Sequence, residues 1–383
     1  MIGRVHGLVE PGWGGVADAF AANFEHGDVG AACCVYIDGR PVVDLVGGIA
    51  DPVTERPWTE DTIALVFSTT KGATAACANL LMQRGRLDPN APVAQYWPEF
   101  GANGKASILV RHVLSHSAGL PVVEGDFTLA QALAWDPIVT QLARQAPRWE
   151  PGTGVGYHMR TYGWLTGEIV RRITGVTIGA FFAKEIAAPL GLDWWIGLPE
   201  DQEPRTARII APEVPTDPAV REFMDAIMAP GTLMGDALTG PTNHFRYDNM
   251  WNTRALHECE LPSSNGIASA HAVARMYASL VGSVDGVRTL DTATIEQARA
   301  TQIEGRDLVL GFPMRYGLGF SLGPPLSSVA GAGAFGHSGA GGSLGLADID
   351  CTLGFGYVMN RMRIGATEDP RSVRLLKAAY RAL

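Results

Sequence analysis

The sequence predicts an α/β protein whose sheet is assembled from both ends of the chain around a largely helical middle. Two observations lead there. Short strand-like runs occur within residues 31–48 and again from 316 to 360, while helical patterns dominate from about 68 to 260. Composition agrees: 46% hydrophobic and 18% charged residues over 383 positions suit a globular chain, not a disordered or coiled-coil one.

Taken in order, residues 12–25 carry Val16, Phe20 and Phe24 at four-residue intervals, the signature of an amphipathic helix. "AACCVYI" and "PVVDLVGG" follow as strands, joined through Asp38-Gly39, a strong hairpin signal. "STTKGATAACANLLMQRG" reads as a helix from a hydroxyl residue to Gly85. "TYGWLTGEIVRRITG" places Tyr162, Leu165, Ile169 and Ile173 on one face and stops at Gly175. Punctuated stretches such as "WEPGTGVGY" and "IIAPEVPTDP" mark loops. Beyond residue 263, "SAHAVARMYASLVG" is helical, and "YGLGFSL", "GAFGHSG", "SLGLADI" and "TLGFGYVMN" are short strands before a closing helix, "PRSVRLLKAAYRAL". The expected division is one α/β domain from 1–67 plus 263–383 and a mainly helical domain over 68–262, with a cleft between them.

A net charge of −9 argues against nucleic acid or anionic membrane as a partner. No run of about 18 apolar residues and no secretory signal pattern is evident. The five cysteines are odd in number, lack C-x-x-C spacing and mostly sit in apolar runs. Buried thiols and a cytoplasmic location are therefore expected. There is no H-E-x-x-H, and His257-Glu258-Cys259 lacks a ligand spacing, so neither metal nor another cofactor is expected.

"GHSGA" at 336–340 lies one residue from a G-x-S-x-G nucleophile elbow, but no histidine follows Ser338. The chain order Ser, acid, His excludes that reading. Ser68 and Lys71 are the better candidates, because a three-residue spacing puts both on one helix face. A buried amine with a lowered pKa can activate a serine hydroxyl. The helix that follows is Ala-rich and apolar, where an unpaired ammonium is costly. The spacing by itself also fits an N-cap serine beside a surface lysine.

The S-x-x-K element, a tyrosine motif and a small-residue strand motif occur here in that order. With "VLSHSAGLP" at 113–121 and "YGWLTGEIVRRITG" at 162–175, they resemble the serine β-lactamase and penicillin-binding-protein superfamily. Within it the chain is most similar to the family VIII carboxylesterases of class C β-lactamase fold. The resemblance implies an antiparallel sheet flanked by helices, with an inserted all-helical domain. It implies Ser68 as the acylated nucleophile, Lys71 as its partner amine, and Tyr157 of "GVGYHMRTYGWL" as general base. Tyr162 is read as helix core. The implied oxyanion hole is the backbone N–H groups of Ser68 and Ala340. His337, Ser338 and Gly339 fall where the family has its K-T-G strand, at the sheet edge, and line the substrate site. Met159 stands where Y-x-N has Asn, and His337 where K-T-G has Lys. Losing an amide and a cation favours neutral acyl substrates. His158 is read as a cleft residue, a structural role being the alternative; His112 and His116 are read as local hydrogen-bonding residues. The implied activity is carboxylester hydrolysis of a small, short-chain substrate molecule. A β-lactamase or D-alanyl peptide hydrolase of the same fold, or a non-catalytic scaffold retaining it, are the alternatives.

Overall fold

In the computed structural model, which describes residues 5–214, 216–363 and 368–383, β1 (His6–Val9) leads through α1 (Gly14–Glu25) to β2 (Gly30–Ile37) and β3 (Arg40–Asp51). Asp38 and Gly39 both adopt positive φ, as the type I′ hairpin demands. β4 (Arg56–Pro57) runs back along β3. β5 (Ala64–Leu65) precedes a tight turn at Phe67–Thr69 and α2 (Thr70–Gln83). Mostly short helices fill residues 84–266; among them are α3 (Thr161–Thr174) and a two-residue strand, β6 (Trp194–Trp195). The return path is β7 (Ile267–Ala268), α4 (Ala270–Val281), β8 (Ile303–Arg306), β9 (Pro313–Tyr316), β10 (Ser321–Leu322), β11 (Ala334–Ser338), β12 (Leu344–Asp348), β13 (Leu353–Met359) and α5 (Pro370–Ala382).

The described residues form a ten-stranded sheet in the order β1-β3-β2-β13-β12-β11-β10-β9-β8, with β4 on β3. Its pairings are antiparallel, and the seam between the two chain ends sets Ala31 opposite Met359. Along β2, Ala31, Cys33 and Val35 face α1 and α5, where Phe20, Phe24, Leu375 and Leu376 cover them. Ala32, Cys34 and Tyr36 belong to the core under α4. A strand covered on both faces needs no polar alternation, which explains the unbroken run "AACCV". α4 lies so close that a Cβ on Gly354 or Gly356 would collide with its backbone, so only glycine fits there. α5 is anchored by a buried ion pair, Arg371 Nη1 to Asp28 Oδ1 at 2.7 Å.

A smaller sheet, β5-β7-β6, ties the segment before Ser68 to the helical region. That region is not wholly helical, and it shares one apolar core with the α4 side of the main sheet. Three further departures from expectation have physical causes. β1 and β8 are largely exposed, so neither has an apolar face to signal it. "YGLGFSL" does not run as one strand: β9 ends at Tyr316 and Gly317–Phe320 turns before β10. Pro215 in the expected loop "IIAPEVPTDP" lies outside the described residues. No single helix among the described residues is long and apolar enough to cross a membrane.

Candidate active site

Ser68 sits in the turn between β5 and α2. Phe67 before it has φ +43°, a left-handed conformation that costs a bulky residue on the order of 1–3 kcal/mol. Neighbours hold it there. Thr70 Oγ1 donates to the Phe67 carbonyl at 2.5 Å and accepts from Gly266 N at 2.8 Å. The Phe67 ring meets Trp251 and Tyr247 edge-on, at 5.0 and 5.5 Å. Ser343 Oγ donates to the Val66 carbonyl at 2.8 Å and contacts Thr69 Oγ1 at 3.0 Å.

One helical turn on, Lys71 is fully buried. Its Nζ lies 3.1 Å from Ser68 Oγ, 2.8 Å from the Met159 carbonyl and 3.0 Å from the Ser263 carbonyl. No carboxylate forms an ion pair with it among the described residues. Burial first, and the Arg160 charge second, hold its pKa well below the ordinary lysine value. An amine that holds its proton less tightly than an ordinary lysine is therefore set directly against the serine hydroxyl. The Met159 backbone carbonyl takes a hydrogen bond from the amine at the position where the resemblance would place Asn.

Tyr157 faces the same amine, with Nζ 4.8 Å from its ring centre; the Tyr162 ring is farther, at 5.9 Å, and fully buried. Burial pushes the Tyr157 phenol up, and a hydrogen bond with Ser68 only partly offsets it. The phenolate is therefore the disfavoured form, which works against Tyr157 as the base and leaves the Lys71 amine beside Ser68 Oγ as the alternative. The Tyr157 loop is clamped by Asp307, whose Oδ1 accepts from the amides of Tyr157, Val309 and Leu310 at 2.8–3.1 Å. Its ring stacks on Tyr316 and on His337, at 6.5 and 5.8 Å.

His337 lines the cavity. Its Nδ1 donates to the Ser338 carbonyl at 2.7 Å. Burial pushes it down to about 3, so this position carries no cation at neutral pH. β11 is an interior strand, not an edge, but β10 pairs only with Phe335 and Gly336. His337 and Ser338 are thus unpaired on the side toward Ser68. Gly339 also lines the cavity, and it is glycine for a steric reason. A Cβ there would strike the Val66 carbonyl and Ser343 hydroxyl, so its smallness lets the strand end dock on the Ser68 turn. No acceptor takes the amide of Ala340 among the described residues.

His158 is not a cleft residue. It is fully buried behind the tyrosine loop, with Nε2 accepting from Leu120 N at 3.0 Å and Nδ1 donating to the Gly156 carbonyl at 2.6 Å. His112 accepts from Leu109 N, and His116 Nδ1 from His158 N. Met159, by contrast, does line the cavity. The cavity has a volume of about 640 Å³ and brings together Ser68, Tyr157, Met159, His337, Ser338, Gly339 and Ala340; Met224, Met228, Met234 and Met314 line it further. Sequence reasoning missed Asp307, Ser343 and Arg160. Only Asp307 left a trace, an Asx-turn residue before the apolar run "LVL".

Among the described residues, one group outside this site has metal-ligand geometry: Cys34, Asp44 and His271, with ligand atoms within 4.8 Å of one another. Both His271 nitrogens are already bonded, Nδ1 to Asp44 and Nε2 to the Tyr36 hydroxyl. Burial pushes the Cys34 thiol well up. The donor set suits a hydrogen-bond network better than a metal ion.

A serine faced by a buried lysine, on an antiparallel sheet with a helical insert, separates this molecule from the histidine-based hydrolases. The family model described as Beta-lactamase matches residues 8–379, and the chain belongs to that family. It is a serine hydrolase. The chain is 35% identical over 377 residues to an esterase/beta-lactamase, LipL, of Mycobacterium tuberculosis, covering 94% of this chain and 83% of the relative. Among solved structures it is similar to a family VIII carboxylesterase, with TM-score 0.90, 38% identity and coverage of 99% and 100%. It is also similar to a penicillin-binding protein homologue from Caulobacter crescentus, with TM-score 0.89, 37% identity and the same coverage.

Proposed function

We propose that the protein is a carboxylesterase that hydrolyses small, neutral, short-chain esters through an acyl-enzyme on Ser68. One observation carries the reading: the buried Lys71 amine lies 3.1 Å from Ser68 Oγ. In the proposed cycle Lys71 accepts the Ser68 proton as Oγ attacks the ester carbonyl. The oxyanion is met by the amides of Ser68 and Ala340, each such donor being worth about 2.7–4 kcal/mol. Collapse expels the alkoxide, which takes its proton through Tyr157, itself reprotonated from Lys71. Water then attacks the acyl carbonyl and gives a proton to Lys71; collapse releases the acid, and Lys71 passes that proton to the departing Ser68 Oγ.

The neutral His337, the Met159 side chain and the methionine-rich wall support uncharged, apolar substrates. The likeness to proteins described as esterases supports the ester over the lactam. A cytoplasmic enzyme acting on a small molecule, with no nucleic-acid or membrane partner and no cofactor, completes the proposal. The test compares a short acyl ester with a chromogenic cephalosporin, and maps a fluorophosphonate adduct by mass. Faster ester turnover and an adduct on Ser68 are expected. Faster cephalosporin turnover would move the assignment to a β-lactamase, and an adduct on Ser338 would overturn the mechanism.

A further inference from the structure

Arg160 lies in the cavity wall with only 6% of its surface exposed. Buried guanidinium groups ordinarily sit against carboxylates. No carboxylate forms an ion pair with this one among the described residues. Its partners are neutral: the carbonyls of Leu238 and Phe245 at 3.0 and 3.5 Å, and Ser264 Oγ at 2.8 Å. The rings of Trp251, Phe245 and Tyr247 surround it at 5.0–5.9 Å. Its charge is therefore held in place and left uncompensated.

The same contacts reach the catalytic amine. Ser264 Oγ bonds Ser263 Oγ at 3.0 Å, and Ser263 Oγ donates to the Arg160 carbonyl at 2.9 Å. The closed loop of bonds holds together the two segments whose carbonyls, from Met159 and Ser263, accept from Lys71. The other groups facing Lys71 are Ser68 on its own helix, Tyr157 and Tyr162, His337 on β11, and His116 and His158 in the loops. None is anionic at neutral pH.

We propose that Arg160 is a positioning residue for the Ser68–Lys71 pair: its contacts fix the two carbonyls that aim the amine, and its buried, uncompensated charge stands against a second cation beside it. The proposal rests on the acyl-enzyme reading above. Removing the charge raises the proton affinity of Lys71, so the free amine exists only at higher pH. The acid limb of kcat/KM then moves to higher pH.

The experiment measures that limb with a neutral short-chain ester for the wild type, Arg160→Met and Arg160→Lys. Fluorophosphonate labelling is mapped by mass in each. In R160M the limb should rise by about one pH unit, a tenfold loss on the acid side with the alkaline plateau largely kept. In R160K the limb should stay in place while the plateau falls, because the planar fork is lost. Equal losses at every pH in R160M, or a raised limb in R160K, would overturn the proposal. If R160M does not fold, the R160K limb alone decides. A label absent from Ser68 in the wild type would instead overturn the acyl-enzyme reading, so the two failures are distinct.

Discussion

Burial acts in opposite senses on the two proton carriers: it lowers Lys71 and raises Tyr157. In both cases the uncharged form gains, which eases the passage of a proton from Ser68 to Lys71 and on to Tyr157 in the proposed relay. Tyr157→Phe should fold normally and lose about 10²–10⁴ in kcat, the usual span for general acid–base catalysis. Lys71→Met should lose at least as much. Because both handle one proton, the double variant should lose little more than the worse single one; multiplicative losses in that cycle would contradict a shared relay. Ser68→Ala should abolish turnover and Ser338→Ala only reduce it, as measured by initial rates. Ser68, Lys71 and Tyr157 were legible because S-x-x-K and the motif order are local patterns. Arg160 and Ser343 were not, since each acts on a segment far away in the chain and an isolated Arg or Ser has no signature; Asp307 left only the trace of an Asx turn.

The meeting of β11 with the nucleophile turn is the decisive contact between elements. Gly339 permits it and Ser343 fastens it. Gly339→Val should displace the strand end, and with it the Ala340 amide, so ester hydrolysis should collapse while circular dichroism stays near native. A variant with full activity would show that the amide is not used. Ser343→Ala should cost about 0.5–1.5 kcal/mol, because the Val66 carbonyl loses one of its two donors and keeps the Thr69 amide, measured as a shift in urea midpoint. Several strands and helices with an apolar face were read from the sequence close to their observed bounds, whereas the amphipathic helices at Asp136–Arg144 and Thr292–Arg299 were not. α2 was found between Ser68 and Gly85, where the helix runs from Thr70 to Gln83. β1 and β8 escaped because exposed edge strands show no periodicity, and the break inside "YGLGFSL" escaped because glycine is as common in these strands as in turns.

Across the whole molecule, three buried imidazoles couple stability to pH. His337 is pushed down to about 3, His158 to about 4, and His116 well below its ordinary value. Between those values and the unfolded pKa near 6.5, the unfolded chain binds more protons than the folded one. Stability should therefore fall as pH drops from 7 to 5, by up to about 2 kcal/mol per histidine. Urea midpoints at the two pH values measure this, and His158→Gln should narrow the difference; an unchanged difference would contradict the assignment. The buried Asp28–Arg371 pair fastens α5 to the sheet. Arg371→Met, which strands Asp28, should cost about 3–5 kcal/mol, read from the same titration.

The seam that sets Ala31 against Met359 also has a consequence during synthesis. A ribosome adding about 5–20 residues per second needs roughly 15–60 s between making β2 and making β13. Throughout that interval "AACCVYI" lacks its permanent neighbour and exposes an apolar flank. Contacts so far apart in sequence form slowly in any case. The nascent chain should therefore depend on chaperone protection until its last strands emerge, and esterase activity should appear abruptly with the full-length product rather than grow with chain length.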